Sequence, residues 1–359
     1  MNKSIAVLAG DGIGPEIIKE AIKCLEAVGQ RFGHNFSFNS AYVGAAAIDA
    51  CGDPFPQETL EACLAADAVL FGAIGDPKYD NDPSAKVRPE QGLLRMRKAL
   101  GLYANIRPVK AYEILEDASP LKPEIIRGVD FVIMRELIGG IYFGEPRGRN
   151  EQGDKAFDTM VYDVEGIKRI TEKAFEYAYK RRKKLTLVDK ANVLATSRLW
   201  REYVTAYAKE HPEIEFDTMF VDNAAMQLIR DPKYFDVVLT GNMFGDILSD
   251  EASVITGSLG TLPSASIGEK TSVYEPIHGS YPQAAGKNIA NPIATILSAA
   301  MMLEYEFDME EEGRAIREAV EYSIEQNYTT SDLANGTQST TEVGDFIATR
   351  IKSGSLEAV

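Results

Sequence analysis

FDVVLTGNMFGDILSDEAS, residues 235–253, changes periodicity once, and that change decides the fold class. The apolar, β-branched run through Thr240 has the character of a buried strand. Gly241 and Asn242 break it, and from about Met243 the apolar positions recur at helical spacing. The same strand-then-helix succession returns along the 359 residues. SIAVLAG (4–10) precedes a helix from Pro15 to about Phe32, and AVLFGAIG (68–75) precedes one near Gly92 to Leu100. LTLVDKAN (185–192) and EFDTMFVDNAAM (215–226) are each followed closely by a helical pattern, whereas DFVIMREL (130–137) is not. Such alternation predicts an α/β protein with a substantially parallel sheet, in a chain long enough for two domains or one large unit.

Residues 141–163, IYFGEPRGRNEQGDKAFDTMVYD, depart from this rhythm, with glycine, proline and charge punctuating two short extended pieces. Two readings stand on the residues alone: an arm that pairs with another copy of the chain, or a surface loop. From Ala290 to Ile351 the chain is helix-rich, and STTE at Ser339–Glu342 starts the last helix with a capping box.

Composition narrows the function. Apolar residues at 45% and charged residues at 26% belong to an ordinary globular protein, and a net charge of −16 argues against nucleic acid or an anionic membrane as partner. An anionic substrate would need a local arginine cluster to overcome that field. Cys24, Cys51 and Cys63 lack metal-ligand spacing and an even count, which points to free thiols in a reducing compartment. The start, MNKSIAVLAGDGIGPE, has too short an apolar run for a signal peptide, and no stretch of about 18 apolar residues exists to span a membrane. A cytoplasmic location is the expectation.

In parallel sheets, ligands bind beyond the carboxyl ends of the strands. Three predicted strand ends carry polar groups there: Asp189 and Lys190, then Asp222, then Gly241 and Asn242 leading to Asp246 and Asp250. The last two aspartates are four apart and share a helix face, where like charges cost ~0.2–0.5 kcal/mol. Asp246 recovers part of this from the helix dipole. A solvated acidic face is one reading. The small neighbours Gly241, Gly245, Ala252 and Gly257, with Ile247 and Leu248 packing opposite, favour another: a divalent cation held by Asp246, Asp250 and Asp222, for which carboxylate oxygens suit Mg²⁺ or Mn²⁺. GLLRMRKALGLYANIRPVK (92–110) supplies Arg95, Arg97 and Arg107, and FVIMRELIGGIYFGE (131–145) adds Arg135 and Tyr142. These are the arginines an anionic substrate requires. GDGIGPE (10–16) is a glycine-rich strand-to-helix turn without the G-x-G-x-x-G spacing, and HGSYPQAAGKNIANP (278–292) offers backbone donors at Gly279 and Ser280 beside His278.

GDGIGPE, NIRPVK, MRELIGGIYFGEPRG, VDKANVL, TGNMFGDILSDEAS running on to GSLG, and HGS followed by AGKNIANP stand in one order over nearly the whole chain. Together they resemble the successive blocks of the β-decarboxylating 2-hydroxyacid dehydrogenases, the isocitrate/isopropylmalate dehydrogenase family. The resemblance implies a fold that is not a Rossmann fold: two α/β domains sharing a large mixed sheet, in a homodimer whose active sites are shared between subunits. On that pattern the first, cofactor-side domain is 1–104 with 257–359, the second is 105–256, and about 141–163 form the intersubunit arm. It further implies that Tyr142 and Lys190 are the catalytic pair, that Arg97, Arg107 and Arg135 bind substrate carboxylates, and that Asp222, Asp246 and Asp250 hold Mg²⁺ or Mn²⁺. Lys190 and Asp222 are then expected from the neighbouring subunit, and NAD is expected to accept hydride.

Substrate choice within the family rests on RPEQGLLRMR (88–97). Glu90, Leu93 and Leu94, with Val193, match the branch acting on 3-isopropylmalate, where leucines meet the isopropyl group, while an isocitrate enzyme would place a serine and an asparagine nearby. D-malate, tartrate and homoisocitrate enzymes are the neighbouring alternatives. A non-catalytic regulatory subunit, a further alternative, would be expected to lack part of the Tyr142, Lys190, Asp222, Asp246 and Asp250 set. Ile13, His278, Gly279, Ser280 and Asn291 match the cofactor site. One departure stands out: after HGS the family usually reads Ala-Pro-Asp, and this chain reads Tyr281, Pro282, Gln283. Gln283 can still bond a ribose hydroxyl, and no basic residue replaces the aspartate, so NAD is expected over NADP.

Overall fold

A computed structural model describes residues 1–80, 86–255, 257, 259–333 and 335–354; Ser258 of the GSLG block lies outside them. The chain forms two compact units, Met1–Leu102 with Ser258–Val359, and Tyr103–Gly257. In chain order the strands are β1 (Asn2–Gly10), β2 (Asn35–Ser40), β3 (Ala68–Ala73), β4 (Leu102–Lys110), β5 (Asp130–Glu136), β6 (Gly148–Arg149), β7 (Ala156–Phe157), β8 (Lys184–Asp189), β9 (Glu215–Phe220), β10 (Val237–Thr240), β11 (Pro263–Gly268) and β12 (Val273–Pro276).

In the first unit the strand order is β2-β1-β3-β12-β11, parallel except for the β11–β12 pair. All six residues of β3 are buried, as a continuous apolar run predicts for a strand covered on both faces. The helix Gly14–Phe32 begins with a proline in its first turn and ends on Gly33 at φ 74°, a left-handed stop that glycine adopts without strain. It packs against Thr340–Ser353, whose N-terminus carries the anticipated capping box between Ser339 and Glu342. The helix Ile293–Glu306 is apolar nearly all round and is buried along its length to Leu303.

In the second unit the order is β4-β5-β10-β8-β9, with β4 antiparallel to β5 and the other pairs parallel. Phe131, Ile133, Val188 and Val238 from the strands meet Leu248, Ala252 and Ile255 of the helix Asn242–Ile255 in one apolar core. That packing fixes which face of the helix turns outward. The carboxyl ends of β5, β8 and β10 therefore carry Arg135, Asp189 and Thr240, each followed by a segment with candidate site residues. Within 141–163 the two extended pieces are β6 and β7, an exposed antiparallel ribbon.

Asp222 differs from its expected place. β9 ends at Phe220, and Asp222 lies in the first turn of the helix Val221–Arg230. The apolar run EFDTMFV does not show where the strand stops, because Val221 suits either state. An acidic residue in a first helical turn is favoured by the dipole.

Candidate active site

Asn242, the first residue of its helix, is fully buried, and its side chain clamps an arginine. Asn242 Oδ1 accepts hydrogen bonds from Arg135 Nε at 3.0 Å and Nη2 at 2.8 Å, while its Nδ2 donates to the Gly139 carbonyl at 3.0 Å. Arg135 is 1% exposed and turns its remaining nitrogen, Nη1, onto Asp246 Oδ1. Gly245 makes this possible: a Cβ there would lie 2.6 Å from Arg135 Cγ. The second oxygen of Asp246 accepts the Tyr142 hydroxyl at 3.0 Å.

Arg107, also buried, is held by Asn105 Oδ1 at 2.6 Å and Ser249 Oγ at 2.6 Å, and reaches Asp250 Oδ1 at 3.3 Å and Asp246 Oδ1 at 3.8 Å. The like-charge pair of the sequence is thus not left to itself: two arginines face it. Burial nevertheless pushes the Asp250 carboxyl above its ordinary range, with Arg107 opposing and Asp246 adding to the rise. A cation brought against Asp250 would favour its charged form.

Lys190 follows β8 directly. Its amine bonds Asp222 Oδ1 at 2.5 Å, and this contact holds the exposed Asp222 carboxyl below its usual range. Asp189, at the same strand end, is turned away into a bidentate pair with Arg201 at 2.7 and 2.8 Å. Val193 is exposed. Among the described residues no three of His, Cys, Asp or Glu converge to hold a metal ion, so Asp222 does not join Asp246 and Asp250 within one chain.

The first unit presents the glycine-rich turn. The Asp11 carboxylate accepts three backbone N–H bonds at 2.9 Å, from Ala45, Ala46 and Gly75. Ile13 N donates to the Ser280 carbonyl at 2.9 Å, and Gly12, at φ 58°, approaches so closely that a Cβ would lie 2.0 Å from that oxygen. The GDGIGPE turn and the HGS loop are therefore locked together. The Ile13 side chain is buried against Ile17, Ala284 and Ala290. His278 Nδ1 bonds the Gly279 carbonyl at 3.0 Å, its buried Nε2 has no partner among the described residues, and burial lowers its pKa. Gln283 is exposed on a short 3₁₀ turn. The Asn291 amide is committed to structure: Nδ2 to Asp332 at 3.0 Å, and Oδ1 to Ile293 N at the start of the next helix.

On the helix Pro89–Leu100, Glu90 is exposed, Leu93 and Leu94 are half-buried and Arg97 is buried. Arg95 is committed elsewhere: it pairs with Asp53 at 2.5 Å and with the Phe55 carbonyl. No sequence signal assigns a role to Asn105, Ser249 or Asp11, and Asn242 stands out in the sequence only as a polar group at a strand end. Nothing local couples it to Arg135, 107 positions away.

Glu136 follows Arg135 and is buried, accepting N–H bonds from Ile138 and Gly139. Burial raises its pKa from 4.5 to about 7, more than those bonds and Arg169 lower it. The folded chain then holds one more proton than the unfolded chain between these values, so this stabilising contribution is complete below 4.5 and is lost as pH rises through about 7. Glu136→Gln is expected to flatten the fall in thermal unfolding midpoint between pH 5 and pH 7.5. Equal falls in parent and variant would show that Glu136 does not titrate in this range.

Buried Arg135 and Arg107 thus face Asp246 and Asp250 on one helix, Tyr142 bonds Asp246, and Lys190 stands just past the end of β8, a set of charges able to meet an anionic substrate. The family described as isocitrate/isopropylmalate dehydrogenase matches residues 4–347, and the chain belongs to it. Similar relatives include the 3-isopropylmalate dehydrogenases of Bacteroides fragilis, 57% identical over 98% of this chain and 99% of that one, and of Aquifex aeolicus, 55% identical over 92% and 91%. Among solved structures, isocitrate dehydrogenase from Methylococcus capsulatus matches with a TM-score of 0.88 at 36% identity, covering 98% of this chain and 99% of that one. A β-decarboxylating dehydrogenase from Thermococcus kodakarensis matches with a TM-score of 0.80 at 36% identity, covering 98% and 96%.

Proposed function

We propose that this chain oxidatively decarboxylates (2R,3S)-3-isopropylmalate to 4-methyl-2-oxopentanoate with reduction of NAD, a step of leucine biosynthesis. The observation that carries the reading is the hydrogen-bonded unit of Arg135, Asp246 and Tyr142, which suits a carboxylate binder, a cation ligand and a proton donor acting on one substrate. Near-full-length similarity to 3-isopropylmalate dehydrogenases supports the substrate.

The residues fit a divalent cation: Asp246 and Asp250 present hard oxygen donors on one helix face, and the Asp250 side chain is open to an incoming ion. Asp222 of the partner subunit is the third ligand, in a homodimer with shared sites. The pairing of Lys190 with Asp222, rather than with Asp246, inside one chain supports that arrangement. When bound, Mg²⁺ or Mn²⁺ lowers the pKa of the substrate hydroxyl and stabilises developing enolate charge, and NAD takes up the hydride. Arg97, Arg107 and Arg135 bind the two carboxylates. Leu93 and Leu94, with Glu90 and Val193, select the isopropyl group. Lys190, through water, accepts the proton of the 2-hydroxyl as the C2 hydride leaves, and the ketone so formed lets the carboxylate on C3 depart as CO₂. Tyr142 then delivers a proton to C3.

Ile13, His278, Gly279, Ser280, Gln283 and Asn291 belong to the NAD site. The orphan Nε2 of His278 and the locked Ile13–Ser280 backbone support this. No described helix is long and apolar enough to cross a membrane; the three free cysteines support a cytoplasmic location.

Steady-state assay with 3-isopropylmalate, D-malate, tartrate, homoisocitrate and isocitrate, each with NAD or NADP, with and without EDTA, tests the reading. Turnover is expected to be fastest with 3-isopropylmalate and NAD and to be lost in EDTA. A faster rate on another acid replaces the substrate, and full activity in EDTA removes the metal.

A further inference from the structure

We infer that Tyr162 is a positioning residue for the cation carboxylates, tying the 141–163 segment to the helix that bears Asp246 and Asp250. The inference rests on the metal reading above. Tyr162 stands at the end of that segment, next to Asp163, which caps the helix Val164–Lys180. Its hydroxyl accepts the backbone N–H of Asn242 at 2.7 Å. The N–H groups of a first helical turn have no partner within their own helix, and a side-chain oxygen is what satisfies them. No residue adjacent in sequence does so at Asn242; a tyrosine 80 positions earlier does.

The slot for this hydroxyl is built by glycines. A Cβ at Gly140 would lie 2.3 Å from Tyr162 Oη, and one at Gly241 would lie 2.9 Å from it. The ring is held edge-on to Trp200, with centroids 5.4 Å apart at 88°. Trp200 belongs to the helix Ala195–Glu210, whose Ser197 Oγ accepts the Lys190 N–H at 3.1 Å. One side chain thus touches the start of the Asp246 helix and packs on the helix that supports Lys190. Burial, with Glu136 adding to it, pushes the phenol up and keeps it neutral.

The consequence runs through Asn242. By fixing the Asn242 backbone, Tyr162 sets the position of the amide that grips Arg135 and the phase of the turn that presents Asp246. Groups standing behind metal ligands typically change metal affinity about 10- to 100-fold when removed.

The test is Mn²⁺ titration of the full-length protein without substrate, by calorimetry and by the electron paramagnetic resonance signal of free Mn²⁺, beside NAD titration of the same samples. Tyr162→Phe, which removes only the hydroxyl, is expected to weaken Mn²⁺ binding about tenfold and leave NAD affinity unchanged. Gly241→Ala keeps the hydroxyl but displaces it, and is expected to weaken Mn²⁺ binding likewise. Unchanged Mn²⁺ affinity in both variants would overturn the inference, as would equal losses of Mn²⁺ and NAD affinity, which mark a general loosening. Failure of the unaltered protein to bind Mn²⁺ would overturn the metal reading and this inference with it.

Discussion

Lys190→Met is expected to lower kcat on 3-isopropylmalate by about 10³- to 10⁴-fold, the upper range for loss of a positioned acid–base group, with NAD affinity retained. Methionine keeps most of the length and volume of lysine and removes the amine, so the packing of the strand end is preserved. The variant also strips Asp222 of its partner, but the Asp222 side chain is 64% exposed, and leaving an exposed carboxylate unpaired costs little stability. The loss therefore falls on chemistry. Stopped-flow measurement of NADH formation beside calorimetric NAD binding separates the two, and a rate within tenfold of the parent would remove Lys190 as the base.

Asp246→Asn should be nearly as damaging, for two reasons that different measurements resolve. The carboxylate accepts from both Arg135 and Tyr142, and asparagine can offer an oxygen to only one of them. Arg135 is fully buried, and a buried charge deprived of a hydrogen-bonded partner costs about 1–3 kcal/mol, here tempered because Asn242 still holds two of its nitrogens. That part is read as a lower thermal midpoint. The larger part is loss of the cation: kcat/KM is expected to fall by about 10³-fold or more, as charge stabilisation of several kcal/mol is withdrawn. The rise in thermal midpoint that added Mg²⁺ gives the parent should vanish as well. A variant still stabilised by Mg²⁺ to the same extent would mean that Asp246 is not a ligand.

Much of this site was legible in the linear sequence because its parts are local. Asp246 and Asp250 share a helix face through their spacing, and Lys190 follows an apolar strand immediately. The C-terminal capping box is likewise a matter of four adjacent residues. Strand boundaries were less legible: Asp222 reads as the end of β9 and is found in a helix, since Val221 suits either state. Arg95 and Arg97 look equivalent in LLRMR, yet two residues along a helix is roughly half a turn, which sends Arg95 to Asp53 and leaves Arg97 buried.

The order of strands and helices, the family blocks and the residue types able to bind a diacid and a cation were determined by the sequence itself, because periodicity and composition act over a few neighbouring residues. Only the tertiary structure decided what faces the two aspartates. Arg135 and Arg107 reach them from β5 and β4, held by Asn242, Asn105 and Ser249, and Tyr162 anchors the helix start from 80 residues away. Such contacts depend on β4, β5 and β10 aligning side by side, the first pair antiparallel and the second parallel, and on an apolar core that turns one helix face outward. Neither is encoded at any single stretch of chain.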